Sequence, residues 1–161
     1  MAARDGKSTL SYERALDYTF TLLSRRAYTR AQLRERLARK GAAAGTIDDV
    51  IARLEELNYV DDAAYADMVI RDRRHRKGPI ALRRDLLQKG VPEEIVDVKL
   101  ADIDEDAQVA VAVEILSKEA WRFRGDAARR RGKAYALLAR RGFPSDVAVE
   151  AIDTAGGFDD G

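Results

Sequence analysis

The sequence predicts an all-α protein of three tandem three-helix repeats in an elongated, curved array. Alanine, leucine, arginine and glutamate dominate its 161 residues, and the β-branched alternation that marks strands is scarce. A basic helix end followed by glycine recurs at Gly41, Gly90 and Gly142, with spacings of 49 and 52 residues. A period of about 50 residues is typical of arrays whose units are too small to bury an apolar face alone. We therefore expect a binding surface rather than the pocket of an enzyme.

The first repeat is predicted to span residues 11–60. Apolar side chains recur with helical spacing over residues 12–23, which predicts its first helix. Thr29 and Gln32 have the spacing of a capping box, in which each side chain accepts a hydrogen bond from the other residue's backbone N–H. The second helix should begin there. We predict that Gly41 ends it in the left-handed conformation that glycine adopts without strain.

The connection after Gly41 differs from the corresponding connections later in the chain. Residues 42–45 have no counterpart after Gly90 and are predicted to be a loop insertion. Thr46 follows this insertion, with Asp49 three residues later, so the third helix is predicted to begin at Thr46.

Two further repeats are predicted over residues 61–104 and 105–155. Pro92 and Pro144 each lie two residues after a repeat glycine, where proline suits the first turn of the next helix. Pro79 marks another helix start in the same way.

The ends of the chain and its composition set further expectations. Residues 1–10 should be disordered, and residues 156–161 should form a frayed tail. The sequence has no cysteine, so it can form neither a disulfide nor a thiolate metal site. We find no signal peptide and no apolar run that could span a bilayer, so we expect a cytoplasmic, monomeric protein.

Three basic segments alternate with acidic ones, although the formal net charge is only +1. Residues 25–40 carry seven basic residues and one acid, residues 71–89 carry eight and two, and residues 122–141 carry eight and one. Residues 47–62 and 93–106 are acidic. Basic segments aligned on one side would form a stripe that binds phosphates by counterion release. The alternative is that they are solvated helix ends whose cations complement the helix dipole.

Little in the sequence suggests catalysis or metal binding. His75 is the only histidine, and residues 61–62 and 102–106 lack the spacing and the glycine of a calcium-binding loop. We recognise no nucleophile–base pair and no glycine-rich phosphate loop. We therefore expect neither an enzyme nor a bound metal or cofactor.

Three aromatic residues lie among the basic residues of the third repeat. Trp121, Phe123 and Tyr135 have rings that could stack on nucleic-acid bases. Aromatic residues at helical spacing are more often buried, so we predict that Trp121 belongs to the core. For Phe123, which lies between Arg122 and Arg124, both roles stay open.

Three stretches of the chain occur in the order and spacing of a known family. They are LEELNYVDDAAYADMVIRDR (residues 54–73), KGPIALRRDLLQKGVP (residues 77–92) and LLARRGF (residues 137–143). With these stretches the chain resembles the RecX regulatory proteins of bacteria over residues 12–153. The sequence LNYVDD at residues 57–62 is similar to the family's repeat-boundary motif, which often has glycine where this chain has Asn58.

The resemblance implies a regulator that binds the RecA recombinase filament on single-stranded DNA. RecX proteins lie in the groove of that filament and inhibit its growth, ATPase, strand exchange and co-protease activities, which restrains the SOS response. We expect RecA and single-stranded DNA as partners, with double-stranded DNA as a further ligand. The residues expected to face the groove and the DNA are Arg71, Arg73, Arg74, Arg76, Lys77, Arg83, Arg84, Lys89, Arg129, Arg130, Arg131, Lys133, Arg140 and Arg141. Secondary candidates are Arg25, Arg26, Arg30, Arg34 and Lys40.

Two other functions stay open on the residues alone. A sequence-independent DNA- or RNA-binding protein would bind bare nucleic acid with a steep salt dependence and would need no RecA. A helical-repeat adaptor that uses its acidic faces for an unrelated protein would have little affinity for nucleic acid.

Overall fold

The computed structural model describes residues 9–158, which form nine α-helices, one 3₁₀ turn and no β-strand. The helices are Tyr12–Leu23 (α1), Arg30–Arg39 (α2), Ala44–Glu56 (α3), Asp62–Arg73 (α4), Pro79–Gln88 (α5), Glu93–Ala101 (α6), Glu105–Lys118 (α7), Ala127–Arg140 (α8) and Ser145–Ala155 (α9), and the 3₁₀ turn is Ala120–Arg122. The all-α class is confirmed. Residues 1–10 were predicted to be disordered and residues 156–161 to be frayed, and of these segments residues 1–8 and 159–161 lie outside the described residues.

The predicted boundaries of α2 are confirmed in detail. Gln32 donates its backbone N–H to Thr29 Oγ1 at 3.2 Å, and Thr29 donates its own to Gln32 Oε1 at 3.1 Å. Gly41 follows the helix with φ of 89°, and Gly90 and Gly142 have φ of 84° and 86°. All three glycines therefore occupy the left-handed region that other residues enter only with strain.

The predicted start of α3 at Thr46 is wrong. The helix begins at Ala44 and is preceded by Ala43, whose extended backbone lets its carbonyl accept a hydrogen bond from Ile47 N at 3.0 Å. Alanine is the strongest helix former, and N–H groups in a first turn can be satisfied by water. The helix therefore needs no side-chain cap here. It begins three residues after Gly41, as α6 begins three residues after Gly90 and α9 three residues after Gly142, so the predicted loop insertion at residues 42–45 is wrong.

The chain divides into two compact units. Of the described residues, the N-terminal unit contains 9–65 together with Lys89–Pro92, and the C-terminal unit contains Ala66–Gln88 together with 93–158. The division of the chain into repeats at residues 60, 104 and 155 stays a prediction.

The core of the N-terminal unit comes from α1, α2 and α3. Fully buried side chains there include Leu33, Leu37, Val50 and Leu54. The segment around Gly90 packs on the start of α2, because the Thr29 hydroxyl donates to the Lys89 carbonyl at 2.6 Å.

The core of the C-terminal unit includes α7, α8 and α9, with Leu116, Leu138 and Ile152 fully buried. The turn at Gly142 packs on the start of α5. Gly78 donates its N–H to the Arg141 carbonyl at 2.8 Å, and Ile80 donates its N–H to the Gly142 carbonyl at 3.0 Å. These bonds fix the end of α8 against the first turn of α5.

The predicted burial of Trp121 is wrong. Helix α7 ends at Lys118, and Trp121 lies in the following 3₁₀ turn with 70% of its surface exposed. Phe123 instead packs against the core of the C-terminal unit. Its ring lies 5.6 Å, centroid to centroid, from that of Phe158, which is buried although it falls in the segment predicted to fray.

Candidate functional site

The cations predicted to form a basic stripe fall into two groups in the structure. Those within 4.0 Å of a carboxylate are Arg30, Arg34, Arg71, Arg73, Lys77, Arg83, Arg129, Arg131 and Arg141. Among residues 9–158, those without an ion pair are Arg25, Arg26, Lys40, Arg74, Arg76, Arg84, Lys89, Arg130, Lys133 and Arg140. The second group is called here the unpaired cations.

The closest ion cluster surrounds Asp85 on α5. Its Oδ2 accepts hydrogen bonds from Arg73 Nη1 at 2.8 Å and from Lys77 Nζ at 2.5 Å. Burial alone would raise the pKa of Asp85, whose side chain is 11% exposed, but the bonds from Lys77 and Arg73 outweigh it and hold the pKa below its usual value. Arg73 and Lys77 therefore connect the end of α4 and the following turn to α5.

A second kind of ion pair occurs at equivalent positions of the two units. Arg34 Nη1 on α2 lies 2.7 Å from Asp48 Oδ1 on α3. Arg83, 49 residues further along, has its Nε 3.3 Å from Oδ1 of Asp97, which is 49 residues beyond Asp48. Arg83 also donates to Glu93 Oε1. The acidic third helices thus neutralise arginines of the helix before them.

Several basic residues of α8 hold the preceding loop in place. Arg130 Nη1 donates to the Gly125 carbonyl at 2.8 Å, and Lys133 Nζ donates to the Arg124 carbonyl at 3.0 Å. These two side chains have no ion pair in the described part of the chain, but their positions are set by the loop. Arg131 Nη2 lies 2.6 Å from Asp153 Oδ1 on α9.

Arg141 brings three separate segments together. Its Nη1 donates to the Arg76 carbonyl at 3.2 Å, and its Nη2 lies 3.7 Å from Glu119 Oε1. The other oxygen of Glu119 accepts from Arg122 Nη1 at 3.0 Å. The basic segment after α4, the end of α8 and the 3₁₀ turn that carries Trp121 therefore adjoin one another.

Arg71 and Arg74 border a cavity of about 670 Å³ within the C-terminal unit. Its apolar lining includes Ile70, Leu82 and Phe143. Of the two arginines, only Arg71 has an ion pair among residues 9–158, with its Nε 4.0 Å from Oδ1 of exposed Asp72. An ion pair that long and that exposed contributes little stability.

In the N-terminal unit, two unpaired cations lie over aromatic rings. The guanidinium carbon of Arg26 is 3.7 Å from the centroid of Tyr28, and Lys40 Nζ is 5.0 Å from the centroid of Tyr18. Cation–π contacts of this kind leave the positive charge available to a further anion.

Residues 9–158 contain neither a cluster of metal ligands nor a membrane-spanning helix. No three acidic or histidine side chains lie close enough together to hold a metal ion. No helix in that range has the length and apolar character needed to span a bilayer.

Two family models match the chain. The model of the first three-helix domain of RecX matches residues 12–54, and the model of the second three-helix domain of RecX matches residues 61–100. The regulatory protein RecX of a Thermus thermophilus strain is 42% identical over 85% of this chain and 89% of its own length. The chain belongs to the RecX family. RecX of Chlorobium phaeobacteroides is 33% identical over 88% of this chain and 93% of its own length.

The RecX fold is also found among solved structures. The crystal structure of RecX from Lactobacillus salivarius aligns with a TM-score of 0.84 over 89% of this chain and 96% of that one, at 22% identity. A second crystal structure of a RecX regulatory protein aligns with a TM-score of 0.80 at 26% identity, over 88% of this chain and 73% of its own length. The two matched RecX domains contain α1, α2, α4 and α5 whole and nearly all of α3 and α6.

Proposed function

We propose that this RecX-family protein binds the filament that RecA forms on single-stranded DNA and inhibits its growth, ATPase, strand exchange and co-protease activities. It would thereby modulate recombinational repair and the SOS response. The observation that carries the proposal is family membership, since relatives named regulatory protein RecX align along most of the chain. The unpaired cations are a second support, because a filament on DNA exposes phosphates to which such side chains can bind.

The unpaired cations are the better candidates for DNA contact within the predicted set. A phosphate that recruits Arg73 or Lys77 must first displace Asp85, which offsets much of the gain. Arg74, Arg76 and Arg140 need no such exchange. We therefore assign DNA contact to the unpaired cations and a structural role to the pair that holds Asp85.

We also propose that α7, α8 and α9 form a third repeat after the two matched RecX domains. Gly142 supports this, because it ends α8 as Gly90 ends α5, with nearly the same φ. The turn at each glycine packs against the start of an earlier second helix, namely α2 for Gly90 and α5 for Gly142. A row of such modules can contact several RecA protomers at once, and linked weak contacts raise the overall avidity.

The decisive experiment is RecA's DNA-dependent ATPase with this protein added substoichiometrically and single-stranded DNA in large excess. Excess DNA removes simple competition for the strand. We expect the ATPase rate to fall, because one regulator molecule that stops a filament from growing prevents the addition of many RecA protomers. An unchanged rate, with folding verified by circular dichroism, would contradict the proposal.

The same titration separates the alternative functions. A sequence-independent nucleic-acid binder would leave the ATPase intact under excess DNA but would bind bare oligonucleotides with an affinity that falls steeply with salt. An adaptor for an unrelated protein would also leave the ATPase intact, but it would have little affinity for bare oligonucleotides.

A further inference from the structure

Trp121 is the only tryptophan of the chain, and its ring is presented to solvent from a fixed turn. The turn is held on one side by Glu119, which accepts from Arg122, and on the other by Phe123, which packs into the core. The backbone that carries the ring is therefore held in place, although 70% of the residue is exposed. Isolated exposed apolar residues are common, so its surroundings decide what it does.

Those surroundings are basic. The guanidinium carbon of Arg122 lies 5.8 Å from the centroid of the Trp121 ring. Arg141 bonds both Glu119 and the Arg76 carbonyl, which brings Arg76 to the same area. Arg140 is the neighbour of Arg141 in the chain. The single carboxylate of this group, Glu119, is neutralised by two arginines.

Three nearby cations remain available to a ligand. Arg76, Arg124 and Arg140 form no ion pair among residues 9–158. An exposed aromatic ring, on a turn adjoined by segments that carry free cations, matches the two needs of unpaired nucleic acid, which are a surface for base stacking and positive charge for the backbone. An anchor for a protein partner is usually surrounded by further apolar contacts. The neighbours of Trp121 in the chain, from Lys118 to Arg124, are mostly charged.

We propose that Trp121 stacks on an unpaired base of single-stranded DNA while Arg76, Arg124 and Arg140 contact the adjoining phosphates. The inference deepens the proposed function and rests on it for the source of the strand, which is the DNA within the RecA filament. Its chemistry can be tested on bare DNA, so the two proposals can fail separately.

The test uses the tryptophan fluorescence of the full chain, excited at the red edge of the indole absorption where the six tyrosines absorb little, so that the emission reports Trp121. Titration with oligothymidine of about 16 nucleotides should quench the emission to saturation, because stacking on a base brings the indole into contact with it. A duplex of the same length should quench less, since its bases are already stacked and paired. Raising the salt concentration should shift the titration to higher DNA concentration.

Substitutions give the second readout, by the anisotropy of a labelled oligothymidine. Trp121→Ala should weaken binding by about 5- to 150-fold, the range expected for one lost base-stacking contact. Trp121→Phe should retain part of the affinity. Val98→Ala removes an exposed apolar side chain from acidic α6 and should leave the affinity unchanged. Circular dichroism should show wild-type helicity for all three variants.

Two results would overturn the inference. One is that Trp121→Ala binds DNA with wild-type affinity and that saturating DNA does not quench the fluorescence of the wild-type protein. The other is that Trp121→Ala binds DNA with wild-type affinity but no longer binds DNA-free RecA, which would make Trp121 an anchor for a protein partner. If the wild-type protein is quenched by DNA but leaves RecA's ATPase unchanged, the stacking inference stands and the proposed function fails.

Discussion

At the scale of single residues, the repeat glycines have two separable roles. Gly41 and Gly142 share a positive φ, of 89° and 86°, but only Gly142 is in close contact. A Cβ added at Gly142 would lie 2.4 Å from both the backbone nitrogen and the Cβ of Ala81, whereas one added at Gly41 would meet nothing within 4 Å. Glycine is therefore required at position 41 for its backbone conformation alone. At position 142 it is required both for that conformation and for close packing on α5.

The pair Gly41→Ala and Gly142→Ala tests this difference. Gly41→Ala should lower the free energy of unfolding by about 1–2 kcal/mol, the cost of a left-handed alanine. Gly142→Ala should lower it by about 3 kcal/mol or more, because overpacking against Ala81 adds to the same strain. Urea denaturation followed by circular dichroism measures both values. Equal losses would show that the close approach of Gly142 to α5 contributes nothing.

At the scale of elements, the sequence correctly predicted those helix boundaries that depend on residues close together in the chain. The cap of α2 and the glycine after it follow from residues three or four positions apart, so Thr29, Gln32 and Gly41 were predicted correctly. Trp121 was not, because helical spacing predicts burial only while the helix continues and α7 ends at Lys118. The start of α3 was missed because Ala43 precedes the helix without a side-chain cap.

The connection between α4 and α5 depends on Asp85. Asp85→Asn removes the charge that Arg73 and Lys77 share, and it should lower the free energy of unfolding at neutral pH by about 1–3 kcal/mol. This is below the cost of breaking a fully buried pair, because both cations are 31% exposed and can hydrate. Asp72→Asn is the matched control and should change stability by less than about 0.5 kcal/mol, since its ion pair is long and exposed.

The contribution of Asp85 should depend on pH in a defined direction. Its pKa is lowered in the folded protein, so the stabilisation is fully present above the unfolded value of 3.8 and is lost as the pH falls through the folded value. Burial raises the pKa of Asp62, so Asp62 makes the folded protein more stable as the pH falls. This opposes the effect of Asp85 on the unfolding free energy of the wild-type protein. The difference in unfolding free energy between wild type and Asp85→Asn should therefore shrink below about pH 4. A difference that is constant from neutral pH to pH 2 would contradict the role of the charge.

At the scale of the whole molecule, a net charge of +1 conceals which cations can bind DNA. The sequence identified the basic segments correctly, but it could not separate paired from unpaired cations because the partners come from tertiary contacts. Asp85 lies twelve residues from Arg73, and Asp153 lies 22 residues from Arg131. Basic residues of the same segment therefore differ in whether a carboxylate already neutralises them.

Two triple variants with the same change in net charge test this distinction. Arg74→Gln, Arg76→Gln and Arg140→Gln together remove unpaired cations and should weaken binding to a RecA filament on single-stranded DNA. The plot of log affinity against log salt should also become shallower by about 2, since each lost phosphate contact changes the slope by about 0.7. Affinity measured by anisotropy at several salt concentrations provides both quantities.

The matched variant carries Arg34→Gln, Arg83→Gln and Arg131→Gln, whose side chains are held by carboxylates. Removing these arginines frees acidic groups but takes no unpaired cation from the surface. The salt slope should therefore change by less than about 0.7, which is the contribution of one phosphate contact. Arg73 belongs to neither set, because its loss would disturb Asp85 and the fold together. If both triple variants lose affinity equally and show the same decrease in the salt slope, the affinity for DNA depends only on the overall charge. The assignment of contact to the unpaired cations would then be wrong.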